Sequence, residues 1–405
     1  MVNVEEELYM VQPEGFIDPK DADKVCKLQR SIYGLKQASR SWNLHFDEVI
    51  KGFGFAQNGY EVCLYKKVSG SSVAFLVLYL DDILLIGNDV ELLNKVKEYL
   101  NKSFSMKDLG EAAYILGIKI YRDRSRRLIA LNQTTYLDKV LKRFRMEGSK
   151  KGFLPMLPGK ILSKAQCPAS VDDREKMSNI PYASTIGSIM YAMLCPRPDV
   201  AHALSLTSRY QSDPGVEHWT AVKNILKYLN RTKDMFLVYG GDEELAVKGY
   251  VDASFNTDID DSKSQSGYVF ILNGAAVSWR SSKQSVIAAS TTEAEYVAAA
   301  EAAQEGVWMR EFMIELGVVP SALDPMVIYC DNTGAITNAK EPRSHKNSKH
   351  FKRRFHTIRE YVKEGEIQIC KVHTDLNVAD PLTKALPRAK HDQHLESMGV
   401  RPLPM

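Results

Sequence analysis

The stretch at residues 73–87, VAFLVLYLDDILLIG, constrains this chain more than any other. Two apolar runs rich in Val, Leu and Ile, each too short for a buried helix, flank one pair of adjacent acids, Asp81 and Asp82. That pattern predicts two strands joined by a tight turn. Carboxylates at the tip of an apolar hairpin repel one another and resist desolvation, so they require open water or cations as partners. Magnesium suits oxygen ligands of this kind. The plainer alternative is a solvated Asp-Asp turn, since Asp is a common turn residue.

A chain of 405 residues with 44% hydrophobic content can build two or three domains with cores of their own. Its net charge of +3 is nearly balanced, so any grip on nucleic acid must come from local basic clusters. The six cysteines (Cys26, Cys63, Cys167, Cys195, Cys330 and Cys370) are scattered, which excludes zinc-finger spacing and fits a reducing compartment. The N-terminus lacks the basic start and apolar core of a secretory signal. The apolar run at 75–86 is interrupted by the two acids and too short to span a bilayer. These features predict a cytoplasmic or nuclear protein with no membrane attachment.

Along the chain, helical character is expected in part of 28–46, with Trp42, Leu44 and Phe46 as candidate core, then a strand at 61–67, the hairpin, and a helix at 90–100. Strand-like runs at 116–120 and 128–131 enclose the basic turn RDRSRR, which carries Arg122 and Arg124. A helix follows, opened by Thr135 with Asp138 as capping partner and closed by Gly148; it carries Lys142 and Arg143 away from its apolar face. Residues 148–179 have the composition of a linker or long loop. Helices at 183–194, 200–211 and 216–231 form a small helical module. Beyond it come three strands (246–251, 267–272, 275–280), a long helix (292–316), a strand (326–330), two helices, a strand (366–372) and a final helix from about 378. That order predicts an α/β layered domain with a mixed sheet.

Four acids of this last region occupy strand ends or helix starts. Asp252 follows VKGYV, Asp331 ends VIYC, Glu295 lies in the first turn of the long helix, and Asp380 precedes a proline in NVADPLTK. Carboxylates at strand ends face the crevice where α/β folds bind ligands. Four of them suit two magnesium ions about 4 Å apart on a phosphodiester. Each acid alone also has a plainer reading, as a surface carboxylate or, for Glu295, as the capping partner of Thr292.

Taken together, YMVQPEGF, LQRSIYGLKQASRSW, VLYLDDILLIG, KDLGEAAYILGIKI, YASTIGSIMYAMLCPRPDVAHALS, GYVDASF, SKSQSGYVF, STTEAEYVAAAEA, YCDNTGAI and TDLNVADPLTKAL resemble the C-terminal part of the copia-type retrotransposon Pol polyprotein, in that family's order and over almost the whole length. The resemblance implies an α+β reverse transcriptase palm (1–105), thumb and linker (106–180), helical connection (181–240), RNase H-like mixed α/β domain (245–386) and C-terminal tail (387–405). It implies metal binding by Asp81 and Asp82, nucleotide contacts from Gln37 and Tyr79, and a ribonuclease H set of Asp252, Glu295, Asp331 and Asp380 holding magnesium, with manganese as substitute. Glu295 is preferred over Glu293 because an apolar residue and a small-residue run follow it.

The chain departs from the family in having Ser39 where Pro is usual, and in beginning where the family supplies a third polymerase Asp on an upstream strand. The expectation is therefore hydrolysis of the RNA strand of RNA:DNA hybrids with polymerase activity lost. Alternatives are an active polymerase, if that strand is supplied separately or the start is set too late, and a non-catalytic hybrid-binding remnant. The run KEPRSHKNSKHFKRR at 340–354 supplies Arg343, Lys346, Lys349, Lys352, Arg353 and Arg354 as expected phosphate contacts, alongside Arg122, Arg124, Lys142 and Arg143. Hybrid and primer-template would be bound mainly through phosphates and shape, and location would be particle-associated in the cytoplasm, or nuclear.

Overall fold

A computed structural model describes every residue except 1–6, 18, 31, 33, 34, 36, 241–244, 342–354 and 404–405. It divides into two compact units, Met1–Glu111 and Ala112–Met405. In the first, β1 (Tyr9–Val11) pairs with β2 (Val25–Lys27). Helix α1 (Ala38–Gly52) then leads into β3 (Ala56–Gln57), β4 (Leu64–Ser69), β5 (Ser72–Tyr79), β6 (Asp82–Gly87) and α2 (Val90–Ser103). Strands β3 to β6 form one antiparallel sheet in sequence order.

Alternation along β5 turns Ala74, Leu76 and Leu78 into a core with Phe46 and Ile50 of α1 and Val96 and Leu100 of α2. Side chains buried this fully contribute roughly 1.5–3 kcal/mol each. Of the expected core residues of α1, Phe46 is buried but Leu44 is exposed, because the inward stripe runs through Trp42, Phe46 and Ile50. Ser39 sits in the first turn of α1, where a proline is also tolerated, so the substitution falls in a helix and not in a turn.

The second unit carries two five-stranded sheets. One is built from β7 (Tyr114–Ile115), β8 (Ile118–Asp123), β9 (Leu128–Asn132), β10 (Phe236–Tyr239) and β16 (Val400–Arg401), in the order β16-β10-β9-β8-β7. Between β9 and β10 lie α3 (Thr134–Arg143), α4 (Val171–Ser178), α5 (Tyr182–Leu194), α6 (Ala201–Ser208) and α7 (Val216–Thr232). The other sheet has β11 (Lys248–Ser254) at its centre. Strands β12 (Gln265–Leu272) and β13 (Ala275–Lys283) continue it antiparallel on one side, and β14 (Met326–Cys330) and β15 (Ile367–Lys371) parallel on the other. Helices α8 (Thr291–Leu316), α9 (Thr333–Lys340), α10 (Thr357–Glu364) and α11 (Arg388–Ser397) complete the unit. Ala298, Ala299, Ala302 and Ala303 let α8 pack close against the sheet, burying Val251, Phe270 and Ile328.

Several expected elements differ. Helix α3 starts at Thr134, whose N–H donates to Asn132 Oδ1 at 2.7 Å, and it stops at Arg143, ahead of the left-handed Arg145. Asp138 pairs with Lys233 at 2.7 Å and caps nothing. The supposed linker contains α4 and sends Met156 and Leu162 into the core built by α3, α5, α6 and α7. The supposed tail is α11 and β16, with β16 paired to β10, a strand missed by its shortness. Among the described residues no helix is long and apolar enough to cross a membrane.

Candidate active site

Neighbouring parallel strands set the first two acids side by side. Val251 of β11 lies opposite Cys330 of β14, so Asp252 and Asp331 follow at one level of the sheet. Asp252 is 2% exposed and Asp331 half-buried. Glu295 comes from α8, whose start is capped by Ser290 Oγ accepting from the Glu293 N–H at 3.2 Å. Glu293 accepts from the Ala289 N–H at 2.7 Å, one residue before the N-cap, so the helix start is held by Ser290 and Glu293 and not by the expected pair of Thr292 and Glu295. Glu295, 7% exposed, turns instead toward Asp331: one of its oxygens, Cys330 Sγ and an Asp331 oxygen all lie within 4.8 Å of one another.

Asp380 reaches the cluster from outside the sheet. It opens a 3-10 turn, Asp380–Leu382, and is fully buried. Two contacts hold this turn against β11: Asn377 Nδ2 donates to the Val251 carbonyl at 2.9 Å, and the Thr383 hydroxyl donates to Asp252 Oδ2. Lys384 Nζ lies 2.8 Å from Asp380 and 3.7 Å from Asp252, and Lys390 Nζ 2.9 Å from the other Asp380 oxygen.

The electrostatics follow from this crowding. Burial lifts Asp252 to about 6, repulsion from Asp380 and Asp331 adds to it, and Lys384 and the Thr383 hydroxyl oppose it. Burial, then repulsion from Asp252 and Asp331, push Glu295 to about 9 against a hydrogen bond from the Ala253 N–H. Burial works against the Lys384 charge, but Asp252 and Asp380 outweigh it and raise its pKa. Burial pushes the Cys330 thiol up to about 12, so it stays protonated near neutrality. Glu295 Oε2 is buried with no hydrogen-bond partner. Carboxylates gathered at this cost, one with an unanswered oxygen, are a donor set that fits a hard divalent cation.

The hairpin acids stand in different surroundings. Tyr79 pairs with Asp82 across a two-residue loop, Leu80 and Asp81, in which Leu80 adopts left-handed backbone (φ 52°). Such a conformation costs a non-glycine residue about 1–2 kcal/mol. Trp42 Nε1 donates to the Leu80 carbonyl at 3.2 Å and ties the turn to α1. Asp81, Asp82 and Tyr79 are exposed, and Gln37 is exposed at the start of α1. Among the described residues the one group of three metal-ligating side chains is that of Glu295, Cys330 and Asp331, so no third ligand of that kind joins the hairpin pair.

Of the expected nucleic-acid contacts, Arg122, Arg124, Lys142 and Arg143 are exposed on β8, the turn after it and α3. Arg343, Lys346, Lys349, Lys352, Arg353 and Arg354 lie outside the described residues. His356 stands at the start of α10 with Nδ1 3.5 Å from the Tyr296 hydroxyl.

A basic surface absent from the sequence reading gathers three distant segments. The guanidinium carbons of Arg231 and Arg388 lie 3.8 and 4.0 Å from the ring centroid of exposed Phe153. Two groups so close to one centroid cannot share a face, so they sandwich the ring. Arg388 stands two residues from Lys390, which joins this surface to Asp380. No local pattern announces it.

Comparison with known proteins adds a family. Residues 1–158 match the reverse transcriptase (RNA-dependent DNA polymerase) family. The retrovirus-related Pol polyprotein from transposon TNT 1-94 of Nicotiana tabacum is 44% identical over 98% of this chain, and that from transposon RE1 of Arabidopsis thaliana 34% over 98%. The putative transposon Ty5-1 protein of Saccharomyces cerevisiae is 33% identical over 75% of this chain and 96% of its own length. This chain spans 30% and 26% of the tobacco and Arabidopsis relatives.

Proposed function

The chain belongs to the copia-type retrotransposon Pol polyprotein family, and we propose that its Ala112–Met405 unit hydrolyses the RNA strand of RNA:DNA hybrids, with magnesium held by Asp252, Glu295, Asp331 and Asp380. The observation that carries this reading is the burial of Asp252 beside Glu295, Asp331 and Asp380, with both Asp252 and Glu295 held above their ordinary pKa. Magnesium, or manganese in its place, supplies activation of a water and stabilisation of the leaving oxygen when bound. The chain's own residues do the rest. Thr383 and Asn377 fix the Asp380 turn against β11. Lys384, half-buried beside Asp252 and Asp380, offers an ammonium group to the phosphodiester and orients it over the acids.

The test is direct. Purified full-length chain with magnesium is expected to cut the RNA of a labelled hybrid and leave double-stranded DNA intact. An uncut hybrid that is nevertheless bound tightly overturns hydrolysis in favour of a non-catalytic binding role.

Polymerisation is a second reading, favoured by the reverse transcriptase match and by the exposed Asp81–Asp82 turn. We assign it to the Pol polyprotein to which this segment contributes two carboxylates. Primer extension on an RNA template by this chain, abolished in Asp82→Asn, would assign it to the chain itself.

The hybrid runs over the Phe153 sandwich on its way to the acids. Phosphate contacts set affinity and its salt dependence. The double variant Arg231→Gln/Arg388→Gln is therefore expected to weaken hybrid binding about 10-fold at physiological salt. It should also flatten the log–log salt slope by about 2. Unchanged slopes in a fluorescence-anisotropy titration would remove this surface from the path.

A further inference from the structure

The thiol among the acids is a feature that magnesium chemistry leaves unused. Cys330 closes β14 immediately before Asp331, and Sγ lies within 4.8 Å of carboxylate oxygens of Glu295 and Asp331. The sulfur accepts from the Asn332 N–H at 3.4 Å and faces the Asn332 carbonyl at 3.8 Å. These contacts hold it at the turn that also carries Asp331. A second observation points to a ligand: Glu295, more than nine-tenths buried, keeps Oε2 without any hydrogen-bond partner. The cluster opens to solvent at Asp331, which is half-buried.

We propose that Cys330, Glu295 and Asp331 form a capture site for thiophilic divalent cations, zinc above all, and that its occupation blocks the magnesium-dependent reaction.

Ligand softness separates the two kinds of ion. Magnesium takes oxygen ligands in near-octahedral geometry and gains little from sulfur. Zinc takes thiolate and carboxylate together in four-coordinate sites, with bonds of about 2.3 Å to sulfur and 2.0–2.2 Å to oxygen. Ligand atoms around such an ion lie roughly 3.5 Å apart. Side-chain rotations of about an ångström close the observed cluster to that spacing, and water completes the fourth position. On binding, the S–H bond is replaced by a metal–sulfur bond and the proton leaves to solvent, with no change of oxidation state. Glu295 and Asp331 cannot serve zinc and magnesium at once, so the two ions exclude one another.

The inhibition half rests on the hydrolysis proposed above; the binding half does not. Metal-free full-length chain is therefore titrated with cadmium, a zinc surrogate whose bond to thiolate gives an ultraviolet charge-transfer band. The first equivalent is expected to raise that band in the parent, and both Cys330→Ser and Cys330→Val should lose one thiolate's share of the signal. In parallel, zinc is titrated into hybrid cleavage at fixed magnesium. The half-inhibitory zinc concentration, read against each protein's own uninhibited rate, is expected to rise at least 10-fold in both variants. Identical cadmium titrations of parent and variants overturn the site. A parent that cuts no hybrid removes the hydrolytic reading, and the cadmium band still decides the metal site. Equal zinc sensitivity despite a lost cadmium band overturns the competition with magnesium.

Discussion

Asp252→Asn is expected to abolish hybrid cleavage while making the metal-free protein more stable. Changes to groups that only support a metal ligand already cost 10–100-fold, so losing a buried carboxylate of the cluster itself should lower the rate by more than about 100-fold. Stability moves the other way. Asp252 holds its proton to about pH 6 in the folded chain, against an ordinary 3.8, because burial and then Asp380 and Asp331 disfavour its charge. Its folded pKa is raised, so the folded state binds more protons than the unfolded chain between those values. The stability this group contributes is complete below about pH 4, is lost as pH rises to 6, and stays lost above. Removing the charge should recover on the order of 2–3 kcal/mol at pH 7, the equivalent of a shift of about two units.

Thermal unfolding of parent and variant in chelator, from pH 4 to pH 8, measures this. The curves should coincide near pH 4 and separate by several degrees at pH 7. Glu295, raised to about 9 by burial and by Asp252 and Asp331, extends the parent's decline further upward in pH. Magnesium should reverse the order. An ion at 100 times its dissociation constant adds about 2.7 kcal/mol to a protein that binds it, and the variant should gain little. A variant less stable than the parent in chelator at pH 7 would mean that Asp252 is held by attraction to Lys384 and not strained by its neighbours.

How much of this could be read from the chain depends on the range over which each feature is encoded. The hairpin was legible because apolar alternation and two acids lie within fifteen consecutive residues. Asp331 was legible because it follows a run of strand-forming residues, and Glu295 because small residues follow it on α8; Asp252 was expected just past a strand end, yet β11 runs on to Ser254 and holds it within the ladder. The failures are long-range. Residues 148–179 carry polar, Gly-rich composition, yet two isolated apolar side chains, Met156 and Leu162, pin the segment to the helical core. Strand β10 spans only Phe236–Tyr239, and its pairing with β9 and β16 draws on partners more than 100 residues away on each side. Lys384 and Lys390 carry no local signal, because only the fold sets both against Asp380. The Arg231–Phe153–Arg388 sandwich drew on three segments that share no pattern.

Gly267→Ala is expected to cut the rate of hybrid hydrolysis about 100-fold with little loss of stability. Gly267 lies opposite Asp252 in the β11–β12 ladder, where the Asp380 turn crosses the sheet. A Cβ there would meet Leu382 Cβ at 2.7 Å, Thr383 Cγ2 at 2.8 Å and the Leu382 carbonyl carbon at 3.1 Å. The two contacts below 3 Å force a shift, and because Leu382 Cβ is bonded directly to a backbone whose carbonyl carbon is itself at 3.1 Å, the turn must move outward as a unit. That motion carries the Thr383 hydroxyl away from Asp252 and Asp380 away from the other acids. Displacement of a catalytic group by about an ångström costs on the order of 10²-fold in rate. The stability cost is partly offset, because Ala in a strand interior is favoured over Gly by roughly 0.5–1 kcal/mol. The rate at saturating hybrid should therefore fall much further than the unfolding midpoint, whereas hybrid affinity, set on basic surfaces away from this contact, should hold. A variant with parental turnover and a higher midpoint would show that the turn has slack, and that Asp380 is positioned by Asn377 and the two lysines without help from the bare strand.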